Sequence, residues 1–425
     1  MLYERVKGTY DMLGNQSVVF QNVIENLKRI FSIYGFSYGQ TSILQPIEMF
    51  KRAIGTDTDI VNKEMFIIKS KSGKEYVLKP EETAPMIKAV IESNLIHGLE
   101  MRKLYYITPI FRYERPQKGR YREFFQYGVE TINSQDFRRD CELIMLGREI
   151  LKSFGIKNYK IDINSLGCGK CRAEYILHLK KYFSENSSHL CDQCKIRLIK
   201  NPMRVLDCKE ESCKSIAKGS PKIIDYLCIE CRDDFENLMK CLKDFKIDFT
   251  VNPMIVRGLD YYTKTVFEFI EIGDALGKQS TLIGGGRYDT LSSELGGKNM
   301  PSCGFAGGLE RLILSIPKEM QSNMEKEENI DVFIIHFGGK TTDIAFILAE
   351  ELRKESVKSE ILFETDKIKK QLSAASGRAK FAIIIGEEEM KENKVVIKDM
   401  TKQNQEKINF DIKEIIEYIK RGKGA

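Results

Sequence analysis

The 425-residue chain contains no run approaching the roughly 18 to 20 apolar residues of a membrane-spanning helix, so no membrane partner is expected. It also lacks the apolar core of a secretory leader. Its amino terminus carries Glu4, Arg5 and Lys7 instead, and the expected compartment is cytoplasmic. Net charge is scarce, only +6 at pH 7, which excludes a generic basic coat for nucleic acid and gives weight to local charge. An even cysteine set is missing too. Eleven cysteines cannot all pair within one chain, and a chain of this length needs no disulfide staples, so free thiols or metal ligands are expected.

What is present suggests about two to three domains by length. Positive charge gathers in one place, where Arg102, Lys103, Arg112, Arg115, Lys118, Arg120 and Arg122 face only Glu100 and Glu114. Residues 111–130 read as two strands joined by a loop bracketed by Pro116 and Gly119, because apolar and polar residues alternate on both flanks. On the return strand Phe125, Tyr127 and Val129 point one way, while Gln126, Gly128 and Glu130 point the other, leaving a glycine gap where a small polar ligand would fit. Guanidinium forks match phosphate oxygens, so phosphate is the expected ligand; a solvated hairpin whose charges guard a sheet edge is the plain alternative.

Along the chain, Asn15 caps a predicted helix with Phe20, Val23, Leu27, Ile30, Phe31 and Tyr34 at three- and four-residue steps, stopping at Gly35. Residues 41–46 read as a strand closed by Pro46, and 65–68 with 76–78 as a strand pair turning at Ser72-Gly73. Lys79-Pro80-Glu81-Glu82-Thr83-Ala84-Pro85 then opens a helix, where Glu81 and Thr83 either cap its first turn or face a ligand.

Residues 165–249 change character and read as an inserted, mainly helical domain. Cys168 and Cys171, Cys191 and Cys194, and Cys228 and Cys231 are Cys-x2-Cys pairs, with Cys208 and Cys213 a wider pair between them. Two four-cysteine zinc sites, small buried thiols, and a zinc-ribbon module for nucleic acid are all open readings.

Ile255-Val256-Arg257-Gly258-Leu259-Asp260-Tyr261-Tyr262-Thr263 brings a cation and two aromatic hydroxyls together, and Gly284-Gly285-Gly286-Arg287-Tyr288-Asp289 follows. Alone, the glycine triplet marks a tight turn. Residues 303–311 lead into a helix with Leu309, Leu312 and Ile313 inward. The charged, apolar-poor segment 321–330 reads as a linker. Beyond it, alternating segments (332–337, 344–352, 361–363, 368–375, 381–385) predict a separate α/β domain. Its Gly338-Gly339-Lys340-Thr341 is no phosphate loop, since Ile334 stands where the first glycine belongs.

Phe111-Arg112-Tyr113-Glu114-Arg115 and its loop resemble motif 2 of class II aminoacyl-tRNA synthetases; residues 41–46 resemble their motif 1 and 303–311 their motif 3. The loop's Gln-Lys-Gly-Arg-Tyr-Arg, with 255–263 and 284–289, resembles the histidyl-tRNA synthetase family in particular, over nearly all of the chain. The resemblance implies an α+β catalytic domain with a class II antiparallel six-stranded sheet (1–164 and 250–320), the insert at 165–249, a linker, and a C-terminal α/β anticodon-binding domain (331–425). It implies a homodimer through motif 1, ATP with Mg2+, and transfer of L-histidine to tRNA(His).

By that resemblance Arg112 and the catalytic Arg257 meet the reacting carboxylate and α-phosphate, and Arg112, Glu114, Arg120 and Arg311 hold ATP. Glu81 and Thr83 take the α-ammonium, Glu130 and Tyr262 read the imidazole, and Gln126, Tyr261 and Tyr288 complete the histidine pocket. Gln117 meets the tRNA acceptor end. Two positions depart from the family's common pattern: Glu82, where glycine is usual, and Phe125, where histidine is frequent. A noncatalytic histidine-sensing regulatory paralogue of ATP phosphoribosyltransferase is the alternative; the motif arginines and the last domain favour the enzyme.

Overall fold

A computed structural model describes residues 3–56, 58–256, 258–273, 276–277, 281–326, 330–402 and 404–423. The chain divides between Gln321 and Ser322 into two units, each described by itself. The strands of the first are β1 (Ser37–Tyr38), β2 (Leu44–Pro46), β3 (Phe66–Lys69), β4 (Glu75–Leu78), β5 (Arg102–Phe111), β6 (Glu123–Ile132), β7 (Tyr159–Ser165), β8 (Thr250–Val251), β9 (Thr263–Glu271), β10 (Thr281–Arg287) and β11 (Ser302–Gly308).

Eight of them form one sheet in the order β1-β5-β6-β11-β10-β9-β7-β8, and β2-β4-β3 form a small sheet beside it. Every pairing from β5 to β7 is antiparallel, which is the expected six-stranded core. The sheet is wider by β1 and β8, two-residue parallel edge strands too short to leave a periodic signal in sequence. Helix Asn15–Ile33 begins where expected, but Gly14 rather than Asn15 is its N-cap.

Helix Arg138–Ser153 packs on one face of the sheet, where Gly147 lies so close to Phe269 that any side chain there would strike its ring. Ile283 points to that helix, so its neighbours Leu282 and Gly284 point to the opposite face, where they line a cavity. The glycine triplet is thus strand interior rather than turn. Between β7 and β8 run helices Gly169–Glu185, Asp192–Lys200 and Glu211–Lys218 around a core of Leu179, Phe183, Leu190, Val205 and Cys213, and then Ile229–Asp244, which packs on Arg138–Ser153.

The predicted linker segment is partly helical: Lys318–Lys326 is one helix, because its Lys, Glu, Met and Gln residues are good helix formers, with Met320 and Met324 one turn apart and Met324 buried. In the second unit β12 (Ile330–His336), β13 (Ser359–Ile361), β14 (Ala379–Ile385), β15 (Lys394–Asp399) and β16 (Gln405–Asn409) order as β13-β12-β14-β15-β16. Helices Lys340–Lys354 and Ile412–Lys423 supply Leu348, Leu352, Ile415 and Ile419 to the core beside Val332, Ile334, Phe381 and Ile383. The Thr341 hydroxyl is used inside its own turn, accepting from Phe337 N–H (2.9 Å) and donating to Gly338 O (2.8 Å). Among the described residues no helix is long and apolar enough to cross a membrane.

Candidate active site

The cavity on the open face of the large sheet has a cationic end and a carboxylate end. Strand β5 stops at Phe111 and β6 starts at Glu123, so the loop between them is longer than its sequence suggests; its Arg112 N–H still donates to Arg122 O at 2.8 Å. Arg112 and Arg120 turn toward the cavity, while Arg115 stays exposed. Arg112 Nε donates to Pro80 O (2.8 Å), and Arg120 pairs with Glu114 (2.5 Å). Gly119, at φ 69°, takes the left-handed turn at the loop tip and offers its carbonyl to Arg311 Nε at 2.8 Å, while Arg311 Nη1 donates to Thr281 O at 3.2 Å. Three guanidinium groups therefore converge on one wall. Burial, and then the charges of Arg120 and Arg112, push Arg311 down to about 10. Arg120 Nε is buried without a hydrogen-bond partner, as is Gln126 Oε1 across the cavity, so two lining groups remain for a ligand to satisfy.

The other end opens helix Thr83–Glu92. Glu81 accepts from the N–H groups of Thr83 (2.8 Å) and Ala84 (3.0 Å), so it caps the helix and lines the cavity at once. Tyr261 OH reaches Glu81 at 3.4 Å. Burial pushes Glu81 up to about 7 against the pull of those N–H donors, and pushes Glu130 up to about 8. Glu130 accepts from Thr83 Oγ1 (2.8 Å), Tyr106 OH (3.3 Å) and Tyr288 OH. The rings of Tyr261, Tyr262 and Tyr288 stack edgewise or tilted at 4.8 to 6.3 Å.

Of the anticipated residues, Glu81, Thr83, Arg112, Glu114, Arg120, Gln126, Tyr261, Tyr262 and Arg311 line this one cavity. Glu130 and Tyr288 sit behind it, joined to the wall through Thr83 and the tyrosine rings. Gln117 is exposed at the loop tip, with its backbone paired to Arg120. Arg257 lies outside the described residues.

Two expectations are corrected. The gap at Gly128 is no ligand slot, because the Tyr106 hydroxyl and ring fill it. Glu82 neither narrows the cavity nor faces solvent: it is fully buried, 2.6 Å from Lys79, and accepts from Thr41 N–H at 3.1 Å. Phe125, the other departure, packs edge-on against Phe20 with ring centroids 5.0 Å apart. Sequence reasoning missed Tyr106, which carried no signal, and Glu310, which the motif 3 position beside Arg311 could have flagged. Glu310 lines the cavity, accepts from Phe125 N–H at 2.8 Å and from Tyr10 OH, and is pushed up by burial.

The eight paired cysteines gather into two tetrads, Cys168-Cys171-Cys228-Cys231 and Cys191-Cys194-Cys208-Cys213, with all Sγ atoms of each within 4.8 Å of one another. All eight are free thiols. Tetrahedral zinc with thiolates at about 2.3 Å sets sulfur pairs roughly 3.8 Å apart; Cys168–Cys171 and Cys191–Cys208 measure 3.6 and 3.8 Å. Backbone N–H groups of Cys228 and Cys191 point at the sulfurs of Cys171 (3.2 Å) and Cys213 (3.3 Å), where they would steady the negative charge of thiolate ligands. The donor set fits zinc.

Comparison with known proteins agrees with this geometry. The histidyl-tRNA synthetase family model matches residues 8–170 and 215–312, and an anticodon binding domain model matches 331–422. The chain is 43% identical over 424 residues to a histidine–tRNA ligase of Clostridium perfringens strain SM101, covering 99% of this chain and 100% of that protein. It is 44% identical over 412 residues to that of Thermoanaerobacter pseudethanolicus, covering 97% and 98%. The crystal structure of apo Staphylococcus aureus histidyl-tRNA synthetase superimposes with a TM-score of 0.82 at 32% identity, covering 98% of this chain and 100% of that one. With relatives this similar along their whole length, the chain belongs to the histidyl-tRNA synthetase family.

Proposed function

We propose that the protein activates L-histidine with ATP and transfers the histidyl group to tRNA(His). The observation that carries this reading is the polarity of one cavity: Arg112, Arg120 and Arg311 at one end suit a polyphosphate, and Glu81 at the other suits an ammonium. The histidine carboxylate attacks the α-phosphorus, pyrophosphate leaves, and a ribose hydroxyl of the tRNA end then displaces AMP. No side chain acts as nucleophile. Arg112 and Arg257 steady the reacting carboxylate and α-phosphate, while Arg120 and Arg311 hold the distal phosphates. Glu114 and Glu310 line the cavity and would offer oxygen ligands to Mg2+ accompanying ATP, which would shield phosphate charge there.

Glu81 and Thr83 take the ammonium; Gln126, Tyr261 and Tyr262 form the pocket wall, and Glu130 with Tyr288 sets its hydrogen-bond pattern from behind. A site that pairs both imidazole nitrogens rejects phenylalanine, whose ring leaves those polar groups unmatched. Exposed Gln117 suits contact with the tRNA acceptor end, and residues 331–425 suit the anticodon region. The catalytic domain is taken as 1–164 with 250–320, and the insert as 165–249, held by structural zinc at both tetrads. The motif 1 neighbourhood exposes Ile43, Leu44, Ile67 and Ile68, which supports a homodimer, and the compartment proposed is the cytoplasm. Histidine-dependent ATP–pyrophosphate exchange tests the reading. Histidine binding without exchange would instead support the regulatory paralogue.

A further inference from the structure

We infer that the second cysteine tetrad is a zinc staple that positions the histidine-pocket loop at 258–262 through Arg204. The inference rests on the proposed activity and deepens it.

Cys194 and Cys208 bracket the short helix Pro202–Val205, so a metal shared by Cys191, Cys194, Cys208 and Cys213 closes a loop with Arg204 inside it. Closing a loop by a metal removes conformations that side-chain packing alone leaves open. Val205 and Leu206 pack there with Tyr175, Leu179, Phe183 and Leu190 against Cys194, Cys208 and Cys213. Arg197 Nη1 adds a bond to Arg204 O at 3.4 Å.

From this stapled segment Arg204 reaches into the catalytic domain. Its Nη2 donates to Asp260 Oδ1 at 2.7 Å and to Gly258 O at 3.1 Å, and Asn201 Nδ2 approaches the same Asp260 oxygen at 3.4 Å. On the far side Asp260 N–H donates to Ile54 O at 3.2 Å, and Gly55 is pressed against the Asp260 carboxylate with no room for a side chain. Asp260 is therefore clamped between the insert and the catalytic domain. Its neighbours Leu259, Tyr261 and Tyr262 line the active-site cavity, and Tyr261 OH meets Glu81. Cys191, Cys208 and Arg204 also line a cleft together with Arg112, Glu114 and Arg120 of the active-site cavity. The family model leaves 171–214 unmatched, and all four ligands of this tetrad fall in that stretch. Arg204 touches no reacting atom, so it is a positioning residue.

The test combines metal analysis with kinetics on the full-length protein. Wild type should carry two zinc ions per chain and Cys213→Ser one. Arg204→Ala should keep both ions yet raise the histidine KM in pyrophosphate exchange by roughly 10- to 100-fold, the scale of a lost charge-assisted contact. The ATP KM should stay unchanged, and Arg204→Lys should recover part of the loss. Cys213→Ser should show the same histidine-specific defect, and the double variant should be no worse than either single one. If Cys213→Ser fails to fold, Arg204→Ala alone still decides the positioning role. An unchanged histidine KM in Arg204→Ala, or additive defects in the double variant, overturns the proposal, as does iron or no metal in active wild type. Should wild type bind histidine without exchange, the activity reading fails by itself, and histidine affinity by calorimetry reads the same variants.

Discussion

Replacing Arg311 by alanine separates phosphate binding from folding. Its guanidinium is held near 10 rather than 12.5, chiefly by burial and then by Arg120 and Arg112, which corresponds to roughly 3 kcal/mol set against the charged form. The free protein bears that cost with two bonds to backbone carbonyls, at Gly119 and Thr281. Truncation removes both the repulsion and the bonds, so the two effects offset and the unfolding midpoint should move little. The nucleotide complex has no such compensation. Loss of one preorganised electrostatic contact typically costs about 100- to 1,000-fold in rate, and that loss should appear in pyrophosphate exchange as a fall in kcat with a raised ATP KM. Histidine affinity, measured by calorimetry without nucleotide, should stay near wild type, because Glu81, Tyr261 and Tyr262 are untouched. Normal ATP kinetics in Arg311→Ala, or an equal loss of histidine affinity, would refute the reasoning.

Three further outcomes follow from the same geometry. Glu81 keeps a proton below about 7 in the free protein, and an ammonium ligand favours its carboxylate. Histidine affinity should therefore rise with pH up to about 7 with net proton release; calorimetry in buffers of different ionisation enthalpy reads that release, and Glu81→Gln should abolish it once histidine's own titration is subtracted. Gln117→Ala should slow charging of tRNA(His) more than pyrophosphate exchange, and equal losses would remove Gln117 from the tRNA contact. Glu82→Ala leaves Lys79 buried and uncompensated, so denaturant unfolding should show a loss of about 3 to 5 kcal/mol, most of it recovered by also making Lys79→Met.

Legibility in the sequence followed the range of each signal. Helix Ile368–Ala375 was readable to the residue, and the turn at Ser72-Gly73 was readable because Gly73 adopts φ 81°. Period-two alternation located β6 but could not say that both its faces are buried, since that depends on β5 and β11 arriving from elsewhere in the chain. For the same reason the gap at Gly128 looked open: Tyr106, which fills it, is a neighbour only across the β5–β6 pairing. The charge of residues 321–330 gave no sign that 321–326 are helical, because a charge-rich stretch suits a helix as well as an extended segment. Motif residues converged on one cavity, whereas the burial of Glu82 with nearby Lys79 and the bonds from Thr41 to Glu82 and from Phe125 to Glu310 come from packing between distant segments. Cysteine spacing showed pairs; only the fold could sort four pairs into two tetrads.

The central claim is that the cavity joins a nucleotide at its arginine end to histidine at its carboxylate end. Single-turnover quench with α-labelled ATP tests it most directly. The account predicts enzyme-bound histidyl-adenylate that forms with histidine but not with glutamine or phenylalanine, and that disappears as added tRNA(His) becomes charged. Folded, ATP-saturated protein that binds histidine yet forms no adenylate, or forms it equally with phenylalanine, would contradict it.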